Sequence, residues 1–235
     1  MTDVATWGQL LRLVTHDLRN PLAVIISNLG YLGNVLSGAS TDVGETITDT
    51  LASSDDLKHI IENLDLVAQT LAGALVQHPR MISLSALAHD LVNRSQQFAA
   101  SHGVVLEDEP ATEYSAQLRI ESTPELVERV VSNLIRNAIA HSAERAKVLV
   151  QVAGDAGECT VLVSDSGSPF DAQHPERMFD ARGQLTAKSE ISGRYSRGVG
   201  LLAAKLAADA CGARLLARPA EAPFKNTFEL KFRRA

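Results

Sequence analysis

His16, Asp17, Arg19 and Asn20 stand together in the run His16-Asp17-Leu18-Arg19-Asn20-Pro21-Leu22, and their types suit nucleophilic chemistry. On a helix of 3.6 residues per turn, Leu11, Val14, Leu18, Leu22, Ile25, Leu29, Leu32 and Leu36 make one apolar stripe. His16 then points about 160° away from Leu18, toward solvent. Arg19 and Asn20, three and four residues on, share the histidine's face, and Asp17 beside it offers an acceptor within reach of the ring. A carboxylate that takes the proton from one ring nitrogen leaves the other nitrogen's lone pair free to attack an electrophile such as a γ-phosphate. Pro21 removes a backbone donor and loosens the helix beside the nucleophile. Seen alone, His16 would be an ordinary surface histidine of a helical bundle; its neighbours make it a candidate.

A second constellation lies far downstream. Asn133, Asn137 and His141 recur every fourth residue, so they occupy one face of the helix expected after Thr123-Pro124-Glu125. Asn is a weak helix former, and two of them at this spacing call for a reason. Amide oxygens coordinate Mg²⁺ and amide nitrogens donate to phosphate oxygens, so such a face can hold a Mg-nucleotide. Further on, a strand-like run ends in Asp165-Ser166-Gly167, and Gly198-Val199-Gly200 opens a helix whose first amides and dipole suit anions. The glycine pair also fits a dinucleotide-binding fingerprint, but no buried strand precedes it and no βαβ unit surrounds it.

The first run resembles the phospho-acceptor motif of sensor histidine kinases, which reads His, Glu or Asp, Leu-Arg, Asn or Thr, Pro-Leu; the match holds at every position from His16 to Leu22. Asn133-Leu134-Ile135-Arg136-Asn137-Ala138 resembles the Asn-rich helix of that family's ATP-binding domain, shared with gyrase-type and chaperone ATPases. Asp165 and Gly167 resemble the loop whose Asp accepts from the adenine amino group, Met178-Phe179 the aromatic element before the lid, and Gly198 with Gly200 the pair whose amides receive the phosphates. The resemblance runs from about Leu13 to Phe232.

What the resemblance implies is an ATP-dependent, Mg²⁺-requiring protein histidine kinase that phosphorylates His16, with Asp17 as base. Asn137 would hold the metal, Asn133 and His141 would contact phosphates, Asp165 would read adenine, and Gly167, Phe179, Gly198 and Gly200 would complete the nucleotide site. The aspartate of a response-regulator receiver domain would take the phosphoryl group, and Asn20 could orient a water for its later hydrolysis. A sensor or input protein, on the same or another chain, would supply the signal. Three positions depart from the family pattern: Pro169 replaces a Gly of the adenine loop, Ser196 a lid Gly, and Ser122-Thr123 a frequent Gly-Asp. The first two favour a rival reading, a phosphotransfer or scaffold module with a degenerate ATP-binding domain.

The elements that must position these residues divide in two. A length of 235 residues with 45% hydrophobic content allows two ordinary cores, expected at 1–79 for dimerisation and histidine phosphotransfer and at 80–235 for ATP binding. The first should be a hairpin of helices from about Thr6 to Leu36 and from Val43 to Pro79, whose apolar faces pair with a second copy into a four-helix bundle. The second should be an α+β, Bergerat-type sandwich of one mixed sheet with helices on one face. Its expected elements include helices capped by Ser83 and Thr123, strands over 104–106, 115–120, 147–153, 159–164, 213–217 and 227–232, and a helix over 201–210. A net charge of -6 argues against nucleic-acid binding. Cys159 and Cys211 lack the spacing of a zinc or disulfide framework, and no run reaches the ~20 apolar residues of a membrane span. A homodimer in the reducing cytoplasm is expected.

Pro169 carries a prediction. Proline fixes φ near -65°, removes a donor and extends the preceding residue, so the adenine loop must take a strained or rerouted path. ATP should therefore bind more weakly than to the Pro169→Gly variant, by roughly 5- to 150-fold for a cost of about 1–3 kcal/mol. Equal or tighter binding by the wild type in calorimetry would mean that the proline is accommodated.

Overall fold

A computed structural model describes residues 4–36, 41–155, 157–169, 173–179 and 199–234, with backbone alone at 4–10, 12–14, 17, 21 and 41–42. The chain divides into two compact units, Met1–Leu75 and Val76–Ala235.

The first unit is an antiparallel hairpin of α1 (Val4–Val35) and α2 (Thr41–Leu71). Thr15 and Arg19 meet Asp65 at one end, and Gly33 meets Ile47 at the other. The helix expected to continue to Pro79 stops earlier. Gly73 takes a left-handed φ of +62°, and Ala74 N–H returns to Gln69 O, an arrangement that closes a helix without proline. The single apolar stripe expected on α1 is two stripes. Thr15 and Leu22, seven residues apart, are buried against the similarly spaced Ser54, Ile61 and Ala68 of α2. Leu18, Ile25 and Leu32, also seven apart, stay 44%, 47% and 43% exposed, and Leu57 and Leu71 of α2 are exposed too.

The second unit carries β1 (Arg80–Ser83), α3 (Leu84–Ser101), β2 (Val105–Asp108), β3 (Arg119–Ser122), α4 (Pro124–His141), β4 (Lys147–Gly154), β5 (Glu158–Asp165), α5 (Gly200–Ala210), β6 (Arg214–Pro219) and β7 (Asn226–Arg233). Its main sheet has the order β2-β4-β5-β7-β6, with β2 parallel to β4 and the other pairs antiparallel. Val148, Val150, Val161, Val163, Phe228 and Leu230 alternate to the buried face, against Leu91, Val127, Val130, Leu134 and Ala204 of the helices. The expected mixed sheet is thus present. A separate ribbon of β1 with β3 is an addition that sequence reading missed.

Two local expectations change. Residues 115–117 form a 3₁₀ turn, with the strand only at 119–122. Thr112 and Ser115 bond each other's backbone N–H groups through their hydroxyls, an alternative to strand pairing. Ser83 caps α3 by accepting from Ala86 N–H, whereas Thr123, at the N-cap of α4, accepts instead from His78 N–H. Both edges of the main sheet are obstructed. Gln96 donates to Leu106 O on β2, while β6 ends in Pro219 and carries Arg214 and Arg218, paired with Glu158 and Glu229. Among the described residues no helix is long and apolar enough to cross a membrane.

Candidate functional site

In the first unit His16 lies exposed on α1, with Asn20 exposed one turn later. The Asp17 side chain lies outside the described residues. Arg19 does not join the histidine as a working group: its guanidinium meets Asp65 of α2 at 2.7 Å. Asp65 also accepts from the Thr15 hydroxyl at 3.4 Å and the Gln69 amide at 2.9 Å. Residues on either side of His16 are thereby tied to one carboxylate, which sets the rotation of α1 against α2 around the ring. Sequence reading missed Asp65. The available signal was an acid among the apolar positions Ile61, Leu64, Leu66 and Ala68.

In the second unit α4 buries Leu126, Val127, Val130, Val131, Leu134, Ile135, Ala138 and Ile139. Asn133 is buried with them. Its Nδ2 donates to Arg129 O at 2.9 Å, and its Oδ1 meets the first turn of α5, where a Cβ on Gly200 would sit 3.1 Å away. Asn137 follows one turn later, half-buried, its side-chain amide without a hydrogen bond to any described residue. His141, also half-buried, ends the row. Its carbonyl lies 2.8 Å from where a Cβ on Gly167 would be, so only glycine fits at that point of the loop after β5. The row Asn133, Asn137, His141 is therefore bracketed by Gly200 at one end and Gly167 at the other. Arg136, between the two asparagines, turns away and stacks 3.9 Å over the Phe98 ring.

Asp165, at the end of β5, is 1% exposed. Its Oδ1 accepts from Gly167 N–H and from Asn226 Nδ2, each at 2.8 Å. Burial pushes the carboxyl pKa up, and the bonds from Asn226 and Gly167, with the charge of Lys225, only partly restore it. Asn226 was not anticipated, because it reaches Asp165 only through the β5–β7 register. Phe179, the aromatic element expected before the lid, is buried with its ring edge-on to Phe228 at 6.3 Å. Gly198 and Ser196 lie outside the described residues, and Pro169 is exposed.

Among the described residues there is no group of three or more His, Cys, Asp or Glu side chains able to hold a metal. A cation on this face would rest on the Asn137 oxygen and on oxygens of its own ligand, which is how Mg²⁺ usually sits with phosphates. The donor set fits that ion.

Residues 6–72 match the model of the His Kinase A (phospho-acceptor) domain, and residues 122–235 that of the histidine kinase-, DNA gyrase B- and HSP90-like ATPase. The methanogenesis regulatory histidine kinase FilI of Methanothrix harundinacea is 26% identical over 186 residues, covering 77% of this chain and 20% of that protein. The sensor histidine protein kinase HK06 of Streptococcus pneumoniae is 23% identical over 189 residues, covering 78% and 40%. The chain thus spans between a fifth and two fifths of the length of these relatives. Among solved structures, full-length ShkA in complex with AMPPNP superposes with a TM-score of 0.66 at 17% identity, over 97% of this chain and 46% of that one. ThkA in complex with the response regulator TrrA gives 0.58 at 17%, over 97% and 62%. At these identities the likeness is one of fold.

The buried carboxylate makes a prediction. A pKa raised on folding means that Asp165 favours the fold most below its unfolded pKa, and that this contribution is lost as pH rises through the folded value. Asp165→Asn keeps the acceptor for Gly167 and Asn226 and removes the charge. Without nucleotide its melting temperature should exceed the wild type's at pH 7.5, by about 2–4 °C for about 1 kcal/mol, and the gap should narrow toward pH 4. A variant that melts lower at both pH values would show that the charge is compensated.

Proposed function

We propose that this chain, which belongs to the sensor histidine kinases and carries their phospho-acceptor and ATPase domains in that order, transfers the γ-phosphate of ATP to His16 and then passes it to an aspartate of a response-regulator receiver domain. The observation that carries the reading is the α4 face between Gly200 and Gly167, with the buried Asp165 at its far end. From Asn133 to His141 that face is about 12 Å long at 1.5 Å per residue, room for an extended nucleotide with phosphates toward Gly200 and base toward Asp165. The AMPPNP held by ShkA and the regulator held by ThkA support the same two ligand classes here.

In the transfer, the lone pair of one His16 ring nitrogen forms a bond to the γ-phosphorus as the bond to the β–γ bridging oxygen breaks and ADP departs. Asp17 takes the proton from the other nitrogen. Asn133, at the Gly200 end of the row, faces the phosphates, Gly200 opens a helix whose amides receive them, Asn137 offers an oxygen to Mg²⁺, and His141, at the Gly167 end, lies toward the base. The ion, when bound, neutralises charge developing on the triphosphate. A second copy of the chain covers Leu18, Ile25 and Leu32, completing a four-helix bundle. We place the reaction in the cytoplasm, downstream of an input module on the same or another chain. A scaffold with a silent ATPase domain is the second reading, favoured by Pro169.

Incubation with labelled ATP and Mg²⁺ should give an acid-labile, base-stable phosphate on a particle of dimeric mass by light scattering, and His16→Ala should remove the label. Label that survives in His16→Ala sinks the assignment, and an unlabelled wild type selects the scaffold. Asn20, one turn beyond His16, should act on the regulator: Asn20→Ala is expected to slow dephosphorylation of the phosphorylated regulator by at least about tenfold while autophosphorylation changes less than about threefold, the split expected of a water-positioning group. Equal loss of both would make Asn20 structural.

A further inference from the structure

Beside His16 the hairpin is held by a carboxylate instead of by interlocking side chains. The α1 side chain buried next to the histidine is Thr15, 1% exposed and too small to form a ridge that would stop α1 from turning on α2. Asp65 of α2, with its side chain 14% exposed, fills that role. Its Oδ1 accepts from the Thr15 hydroxyl at 3.4 Å, and its Oδ2 from the Arg19 guanidinium at 2.7 Å. Oδ2 also accepts from the Gln69 amide at 2.9 Å, one turn along α2, so the carboxylate is steadied from its own helix as well.

Thr15 and Arg19 are four residues apart, hence about 40° apart around α1 and about 6 Å apart along it. Two attachments so spaced, made to one group, fix both the turn of α1 about its axis and its slide along α2. His16 stands about 80° round from their midpoint and Asn20 about 120°, so the same rotation carries both. A group about 6 Å from a helix axis moves about 1 Å for a turn of about 10°. Misplacing a reacting atom by about 1 Å costs about 10²-fold in rate.

We propose that Asp65 is a positioning residue for phosphoryl transfer: through Thr15 and Arg19 it sets the rotation at which the His16 ring meets the γ-phosphorus in line. This rests on the kinase reading above. Asp65 acts through α1 and not on the nucleotide, so ATP binding is independent of it. Asn20 turns with His16, so dephosphorylation of the regulator depends on the same carboxylate, whereas Asn20 itself serves dephosphorylation alone.

In the full chain with ATP and Mg²⁺, Asp65→Ala should lower kcat for autophosphorylation by about 10- to 100-fold and leave KM for ATP within about threefold of the wild type's. Regulator dephosphorylation should fall with it, by about tenfold or more. Phosphoramidate supplies the control. A His16 ring nitrogen bonds to its phosphorus as the P–N bond breaks and ammonia leaves, and no second protein unit has to be aligned. Labelling of His16 from this donor, read by mass spectrometry, should stay within about threefold of the wild type's. Adding Arg19→Ala to Asp65→Ala should slow autophosphorylation no further, because both remove one tie. An unchanged kcat, a raised KM at constant kcat, equal losses with both donors, or losses that add in the double variant overturns the proposal. Should Asp65→Ala not fold, Arg19→Ala alone decides by the same comparison of donors, with a loss of at least about threefold expected from ATP and none from phosphoramidate. A wild type that takes label from phosphoramidate but none from ATP refutes the kinase reading itself, a result separable from any of these.

Discussion

A carboxylate placed in the dry end of a sheet governs the second unit. Asp165 needs donors, and meeting that need dictates its surroundings. Gly167 must turn back at once to offer its N–H, and it can do so only without a side chain, because the His141 carbonyl occupies that space. Asn226 must stand opposite on β7, which sets the β5–β7 register, and Lys225 N–H closes on the Asp165 carbonyl. The sheet's other buried carboxylate is handled differently. Burial would raise Glu229, but Arg218 and Lys231 hold it below the ordinary range. A carboxylate neutralised by cations serves the fold; one held by amides and pushed upward keeps part of its bonding capacity for something else.

That contrast bears on what could be read from the sequence. The row Asn133, Asn137, His141 was legible because helical spacing is local, and the exposure of His16 followed from its angle to the apolar positions. Asp65 and Asn226 were not, since each acts through a partner tens of residues away, and no local period encodes that pairing. The stripe through Leu18 and Leu22 was read as one surface because both residues fall within the same broad apolar arc; only the position of α2 separates the side facing inward from the side left open. The packing of Phe179 was hidden for a related reason: its ring meets Phe228 of β7, a partner far along the chain.

The first unit works by partial cover. Its internal seam uses the small residues Thr15, Ser54 and Ala68 alongside Leu22 and Ile61, so the helices approach closely while burying little apolar surface. Leu18, Ile25, Leu32, Leu57 and Leu71 remain exposed on the hairpin, apolar surface whose burial would be favourable. The polar link at Asp65 then supplies what a smooth seam lacks, a defined rotation of α1 around His16.

The obstructed edges of the main sheet decide how other proteins can be recognised. A sheet with an open margin can accept an incoming extended segment and add a strand, a mode in which main-chain bonds give affinity. Here one margin is four residues long and plugged by the Gln96 amide, and the other is set with arginines and ends in a proline, features that discourage such addition. Encounters with this unit must then be read through side chains on its helices and loops. Pairing specificity written that way can drift by point substitution without disturbing the ladder that holds Asp165.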